Sequence, residues 1–157
     1  MCAEVADFSS KGNSTSENRN VGESVTVKTP YPNLIVNFNN PKKYPDVNFV
    51  IPGIEAPFRL HRPTLADAST ALESMFDAKQ SMFGAFDENA RRAEWTDEKA
   101  ASDATYRNVL VKWLRFCYGE DQTFSPDECV AAIIVSMQLG IKCNDGVLKA
   151  IKTFMSE

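Results

Sequence analysis

The chain has 157 residues, 43% of them hydrophobic, and a formal net charge of -4 at pH 7. This length suits one domain with its own core, and dispersed Lys and Arg among more numerous acids argue against a nucleic-acid surface. No apolar run approaches the roughly 20 residues that cross a bilayer, and the N-terminus lacks a secretion signal, so we expect a cytoplasmic or nuclear protein that binds no membrane.

Residues 1 to about 30 are rich in Ser, Asn, Thr, Glu and Lys and have almost no apolar periodicity. Such a segment buries too little surface to offset the entropy lost on ordering. We therefore predict a disordered Ser/Asn-rich tail over residues 1–30 and a folded domain over residues 31–157.

A compact apolar run, Leu34 to Phe38, lies between Pro32 and the chain breaker Asn39-Asn40-Pro41. Its length fits either an extra strand or a short helix. The β-branched residues in the run favour a strand.

Two short runs of alternating apolar residues follow, separated by the turn signal Pro52-Gly53. Their apolar members are Val47, Phe49 and Ile51 in the first run and Phe58 and Leu60 in the second. The pattern predicts a hairpin that leads into two short helices, with Pro63 in the first turn of one and a capping box from Thr70 to Glu73 in the other.

Residues 77–104 are weakly patterned and rich in charge, with a short strand predicted over residues 92–96. After this segment the period becomes helical. One apolar face comprises Tyr106, Val109, Leu110, Trp113, Leu114 and Cys117, which we interpret as core.

Two further helices complete the chain. The sequence Ser125-Pro126-Asp127-Glu128 has the residues of a capping box with proline at the first position, and Gly140 is a suitable helix stop. Asn144-Asp145 then caps a last predicted helix that carries Val147, Leu148, Ile151 and Met155 on one side.

The four cysteines are Cys2, Cys117, Cys129 and Cys143, and none of their spacings matches the paired thiols of a zinc site. Three of them fall on predicted apolar helix faces or at helix ends. We expect small buried hydrophobic residues with reduced thiols, and we expect neither a metal nor another cofactor.

Several of these residues occur in an order that resembles the BTB/POZ family of protein interaction domains. The resemblance covers about residues 44–155 and is carried by Asp46-Val47-x-Phe49, Phe58-x-x-His61-Arg62, Leu65-Ala66, Ser69-x-x-Leu72-x-x-Met75-Phe76 and Leu114-Arg-Phe-Cys-Tyr-Gly119. It implies an α+β fold in which a cluster of helical hairpins is capped by a small mixed sheet of short strands. Potassium-channel tetramerisation domains share this fold, but the Phe58-x-x-His61-Arg62 corner and the helix exit favour the BTB branch. The monomeric Skp-type adaptors also share it, and a measurement of size would show their lack of a BTB-like dimer face.

The resemblance implies a small stand-alone interaction protein that forms a homodimer and serves as an adaptor for a cullin-based E3 ubiquitin ligase, with a cullin of the cullin-3 type and an unknown target as partners. The alternative is an oligomerising scaffold or transcription-related module with no ligase role. In some BTB subfamilies an N-terminal strand is exchanged between partners. The candidate dimer-interface residues are Asp46, Arg62, Leu34, Val36 and Leu65; Asp46 could equally act as a local cap.

Cullin adaptors of this family carry an apolar residue, any residue and then Glu between the second helix and the next strand. Phe86-Asp87-Glu88 matches this pattern, so Phe86 and Glu88 are the candidate docking residues. An exposed apolar side chain on a charged loop indicates a partner pocket. Alternatively, Phe86 packs back onto its own domain beside Met82 and Phe83.

His61 is the only histidine, so any catalytic scheme with a histidine base must use it. No nucleophile and orienting acid in the sequence pair with it in a recognisable pattern. We therefore expect that the protein is not an enzyme and that His61 is a structural residue that holds the corner between a strand and a helix.

Overall fold

The structure is a computed structural model that describes residues 6–9, 23–142 and 145–157. It is a mixed α/β fold with about 49% helix and 20% strand, which is compatible with the predicted α+β class. The strands are β1 Ala6–Ser9, β2 Ser24–Val27, β3 Val47–Val50, β4 Phe58–Leu60, β5 Gln80–Ser81, β6 Gly84–Asp87, β7 Arg92–Trp95 and β8 Gln122–Phe124. The α-helices are α1 Arg62–Ala68, α2 Thr70–Ala78, α3 Lys99–Ser102, α4 Ala104–Cys117, α5 Cys129–Leu139 and α6 Asp145–Met155.

The strands form two sheets. The larger has the order β4-β3-β7-β6-β5, in which β3 and β7 are parallel and the other neighbours antiparallel. The smaller is antiparallel with the order β1-β2-β8. The larger sheet is therefore mixed, and its parallel pair joins the predicted hairpin to the strand predicted within the charge-rich segment 77–104.

The predicted hairpin is confirmed as β3 and β4, in which Phe49 lies opposite Phe58. Val47 and Phe49 are buried while Asn48 between them is exposed, because successive side chains of a strand point to opposite faces. The strand predicted over residues 92–96 is confirmed as β7, in which Ala93 and Trp95 are buried.

The predicted core face of α4 is also confirmed, since all six of its residues are buried. At the start of α5, Ser125 and Glu128 form the predicted capping box around a short 3-10 turn, Pro126–Glu128. Gly140 ends α5 in the left-handed conformation that favours glycine. Asn144 lies outside the described residues, so its predicted cap is not seen.

The cap of α2 differs from the prediction. Ser69, not Thr70, is the N-cap, and its hydroxyl accepts a hydrogen bond from the Leu72 amide at 3.0 Å. The same hydroxyl donates to the Leu139 carbonyl at 2.6 Å. Ser69 is completely buried, so it joins the start of α2 to the end of α5.

The prediction of a disordered tail over residues 1–30 is wrong for the part that the structure describes. Residues 6–9 and 24–27 form β1 and β2, and β2 continues the sheet through β8. Val25 and Val27 are completely buried. Pairing with a strand almost 100 residues away supplies the burial that the local composition lacks. Residues 1–5 and 10–22 lie outside the described residues.

The strand favoured over Leu34 to Phe38 is also wrong, and the alternative of a short helix is observed, because residues Ile35–Asn37 form a 3-10 helix. The amides of Asn37 and Phe38 donate to the carbonyls of Leu34 and Ile35, so the turn meets its hydrogen-bonding needs locally. The Phe38 ring packs against the rings of Phe58 and Tyr118.

An asparagine covers part of the outer edge of the larger sheet. The Asn39 side-chain carbonyl accepts a hydrogen bond from the Arg59 amide of β4 at 2.8 Å. Asn39 has a φ of 51°, a conformation that asparagine adopts more readily than most residues. The side chain thus occupies a position where another strand would bond.

The two tryptophans, Trp95 and Trp113, are fully buried in one hydrophobic core. Cys117 and Cys129 are buried free thiols, as expected, and burial raises the pKa of Cys117 to about 12. Cys2 and Cys143 lie outside the described residues. Among the described helices, none is long and apolar enough to cross a membrane.

Replacing Gly119 by alanine should destabilise the fold by about 1–3 kcal/mol. Gly119 has a φ of +86°, and a Cβ there would overlap the Pro32 carbonyl. The segment that contains Pro32 lies this close because the Leu34 amide donates a hydrogen bond to the Tyr118 carbonyl. Urea unfolding measures the loss. Gly146→Ala in α6 is the control, where alanine should be neutral or stabilising by helix propensity; equal stability of both variants would contradict the account.

Candidate functional site

His61 lies where β4 ends and α1 begins, and its bonds connect three parts of the chain. Its amide donates to the Tyr118 hydroxyl at 2.7 Å, and its Nδ1 lies 2.9 Å from the same oxygen. Its Nε2 lies 2.6 Å from the Lys43 carbonyl. A carbonyl only accepts, so Nε2 carries a proton and Nδ1 can accept from the hydroxyl. Both ring nitrogens therefore have partners, as the structural interpretation requires.

Three of the candidate interface and docking residues, Asp46, Arg62 and Glu88, come together beside this corner. Asp46 accepts a hydrogen bond from the Arg62 amide at 2.7 Å, and its other carboxylate oxygen lies 3.4 Å from Arg62 Nε. Arg62 Nη1 in turn lies 3.7 Å from Glu88, which is 3.0 Å from Lys79 Nζ. Asp46 thus bonds the first amide of α1, which is a local structural role.

The charged chain from Asp46 to Glu88 has alternating signs and is open to solvent. The hydrogen bond from Lys79, followed by its charge, lowers the pKa of Glu88 below the ordinary value for a glutamate. Arg62 contributes to the same shift. Because the side chains are about one third or more exposed, the network orients these groups but adds little to stability.

The expectation that Phe86 is an exposed side chain on a loop is wrong. Phe86 lies in β6 and is only 4% exposed. Its ring meets the ring of Phe76 edge to face at 5.3 Å, and the Arg62 guanidinium lies 5.1 Å from its centre. The alternative, that Phe86 packs onto its own domain, is therefore observed, with Phe76 as the aromatic ring that it contacts. Met82 is itself 84% exposed.

An open cavity of about 640 Å³ lies beside these residues. Part of its wall is apolar, from Pro63, Ala66 and Phe76. Its rim is charged and comprises Asp46, Arg62, Asp77, Lys79 and Glu88. The lining combines apolar residues with charges of both signs, which suits a protein side chain better than a small anionic ligand.

The other candidate dimer residues are not brought together as one exposed face. Leu65 is completely buried in the chain's own core, so it presents no surface to a second copy. Leu34 is partly buried against the same core, and Val36 is 66% exposed. Only Val36 of these three is an open apolar surface residue.

A polar network that the sequence analysis missed holds α5 to the end of the larger sheet. Trp95 Nε1 donates to the Tyr106 hydroxyl at 3.1 Å, and that hydroxyl donates to Gln138 Oε1 at 2.5 Å. Gln138 Nε2 donates to Asp97 at 2.8 Å. These partners come from separate elements, so no sequence pattern links them.

The sequence analysis also missed an apolar surface on α5. Val130, Ile134 and Met137 are 56%, 38% and 64% exposed. The spacing of four and then three residues places them on one face, opposite the buried residues Cys129, Ala132, Val135, Ser136 and Leu139. The signal was available, because the helix sequence is apolar on every side, a pattern typical of a helix that is covered all round.

No group of three or more His, Cys, Asp or Glu side chains within residues 6–9, 23–142 and 145–157 is placed to hold a metal ion. Comparisons with protein-family models, curated proteins and solved structures found no match to this chain. The family resemblance therefore depends on the residues quoted from the sequence.

Replacing Tyr118 by phenylalanine should lower the free energy of unfolding by about 1–3 kcal/mol. The change removes one hydroxyl that serves both the amide and Nδ1 of His61, and Tyr118 is completely buried. Tyr44→Phe is the matched control, since Tyr44 is 89% exposed and should lose less than about 0.5 kcal/mol. Similar urea midpoints for both variants would show that the corner does not depend on this hydroxyl.

Proposed function

We propose that this chain is a BTB-type protein interaction module that associates with itself and holds other proteins together. The observation that carries the proposal is the open apolar face of α5, formed by Val130, Ile134 and Met137. Contiguous exposed apolar surface on a folded domain is typical of protein contact sites. A module of this kind acts by binding other proteins and not by catalysing a reaction.

The roles of the resemblance residues support the BTB assignment. Asp46 bonds the start of α1, and His61 bonds Tyr118 near the end of α4. The hairpin β3–β4 leads directly into the paired helices α1 and α2, and a small mixed sheet lies beside the helices. Asp46 and His61, which belong to the resemblance, thus make hydrogen bonds between separate elements of the fold.

The state of the reactive side chains also favours an interaction role. Both ring nitrogens of His61 are used in hydrogen bonds to Tyr118 and Lys43. Burial raises the pKa of the Cys117 and Cys129 thiols, to about 12 and about 11, which disfavours the nucleophilic thiolate. These groups serve the framework in the folded chain.

A second, more specific candidate is adaptor function for a cullin-based ubiquitin ligase. It is favoured by Glu88, whose side chain is 57% exposed at the rim of the cavity lined by Pro63, Ala66 and Phe76. Because Phe86 forms part of the core, docking here uses Glu88 and the cavity, and not the full Phe86–Glu88 triplet. The burial of Phe86 therefore makes a scaffold without ligase function the stronger of the two alternatives.

Sedimentation equilibrium of the full chain tests the main proposal. We expect a dimer or larger assembly at micromolar concentration, because the apolar face of α5 gains free energy when water is excluded from it. A chain that stays monomeric at every concentration up to about 100 μM would contradict the proposal, because its association would be too weak for a stable self-associating module.

Calorimetric titration with the N-terminal domain of a cullin-3-type cullin tests the adaptor candidate. We expect micromolar or tighter binding that weakens at least tenfold, about 1.4 kcal/mol, in Glu88→Ala. Glu94→Ala is the control, because Glu94 is a similarly exposed acid paired with Arg92 on β7. Phe86→Ala is unsuitable, since it would leave a cavity beside Phe76. No heat from a folded sample, or equal losses in both variants, would exclude docking at Glu88.

A further inference from the structure

We propose that α5 is the self-association surface: it packs antiparallel against α5 of a second copy, with Ile134 facing Ile134 across a two-fold axis. This inference deepens the proposed self-association and rests on it. It assigns the contact to a face of α5 that is distant in sequence from Leu34, Val36 and Leu65. Leu65 in particular is already buried within its own chain.

The first support is the distribution of apolar residues around α5. The buried side packs on the core, while the opposite side exposes Val130, Ile134 and Met137. An amphipathic surface helix has charged or polar residues on its outer side, and α5 has none at these three positions. Its outer side is therefore suited to contact with another apolar surface.

The second support is that the stripe is close to symmetric about Ile134. With a rise of about 1.5 Å per residue, Val130 lies about 6 Å before Ile134 and Met137 about 4.5 Å after it. In an antiparallel pair centred on Ile134, Val130 of one copy therefore meets Met137 of the other. Every exposed apolar residue of the stripe then faces an apolar partner, and one patch is sufficient for both sides of the interface.

The third support is the charge at the two ends of the helix. Asp127 is exposed and lies one turn before Val130. Lys142 follows the end of α5, and its side chain is 34% exposed while bonded to Glu73. An antiparallel pair brings Asp127 of one copy near Lys142 of the other, whereas a parallel pair would place like charges together. The Lys142 ammonium has three N–H donors, so it can donate to this second carboxylate while it keeps its ion pair with Glu73.

Position-specific disulfide formation tests the register. In a background with Cys2→Ser and Cys143→Ser, Ile134→Cys should yield a covalent dimer on mild oxidation with copper–phenanthroline, because the two copies of this residue meet at the axis. Two copies of Val130→Cys lie about 12 Å apart along the helices, beyond the roughly 7 Å between Cα atoms that a disulfide spans. That matched variant should remain non-covalent, and Val130→Cys combined with Met137→Cys should cross-link again.

A charge variant gives a readout that does not depend on oxidation. Ile134→Lys places two like charges at the axis and should weaken association at least tenfold in sedimentation. Val36→Lys is the matched control, since Val36 is 66% exposed and lies outside α5. Both positions are on the surface, so circular dichroism and thermal unfolding should show that both variants remain folded.

The outcomes separate this inference from the function on which it rests. A dimeric wild type with no Ile134→Cys cross-link, or with equal cross-linking of Ile134→Cys and Val130→Cys, overturns the antiparallel α5 contact and leaves self-association in place. Loss of the dimer in Val36→Lys but not in Ile134→Lys also overturns the α5 contact, and it places the interface at the surface around Val36. A wild type that is monomeric throughout overturns both proposals.

Discussion

The hydroxyl of Tyr118 is the point on which the arrangement of this fold most depends. It bonds both the amide and the ring of His61, and the other ring nitrogen of His61 bonds the Lys43 carbonyl. One buried oxygen thus fixes the exit of α4 against the junction of β4 and α1. Burial raises the pKa of this phenol, so it remains a protonated donor over the ordinary pH range. The geometry of the charged chain that begins at Asp46 follows from this corner, since Asp46 bonds the residue next to His61.

The elements that could be predicted from the sequence are those whose pattern is local. Val47 and Phe49 alternate with exposed residues in β3, and Tyr106 to Cys117 repeat at helical spacing in α4. The capping box of Ser125 and Glu128 is contained in four residues. In each case the residue pattern itself is contained in a short stretch of the chain, so the amino-acid order records it. The placement of Asp46, Arg62 and Glu88 in one region was not predictable in the same way, because it depends on three separate elements.

The wrong predictions concern residues whose surroundings come from distant parts of the chain. Val25 and Val27 looked too sparse to order a segment, yet β8, almost 100 residues later, provides their pairing partner. The sequence pattern around Phe86 predicted an exposed side chain, but its ring packs against Phe76 and the Arg62 guanidinium. The apolar outer face of α5 shows the converse case: its signal is local, but which side remains open is decided by how α4 and α6 cover the rest. Tertiary packing settles exposure, and exposure determines which residues can act at a surface.

The Asn39 side chain at the edge of β4 has a consequence for the behaviour of the protein at high concentration. An open edge strand is a template on which a second chain can add a strand and begin an ordered aggregate. By accepting the Arg59 amide, Asn39 removes one of the donors that such growth requires. In the proposed assembly, α5 pairs through its apolar side chains while the larger sheet resists extension at this edge. The side-chain contact proposed for α5 would in this way stay separate from the backbone pairing that leads to fibrils.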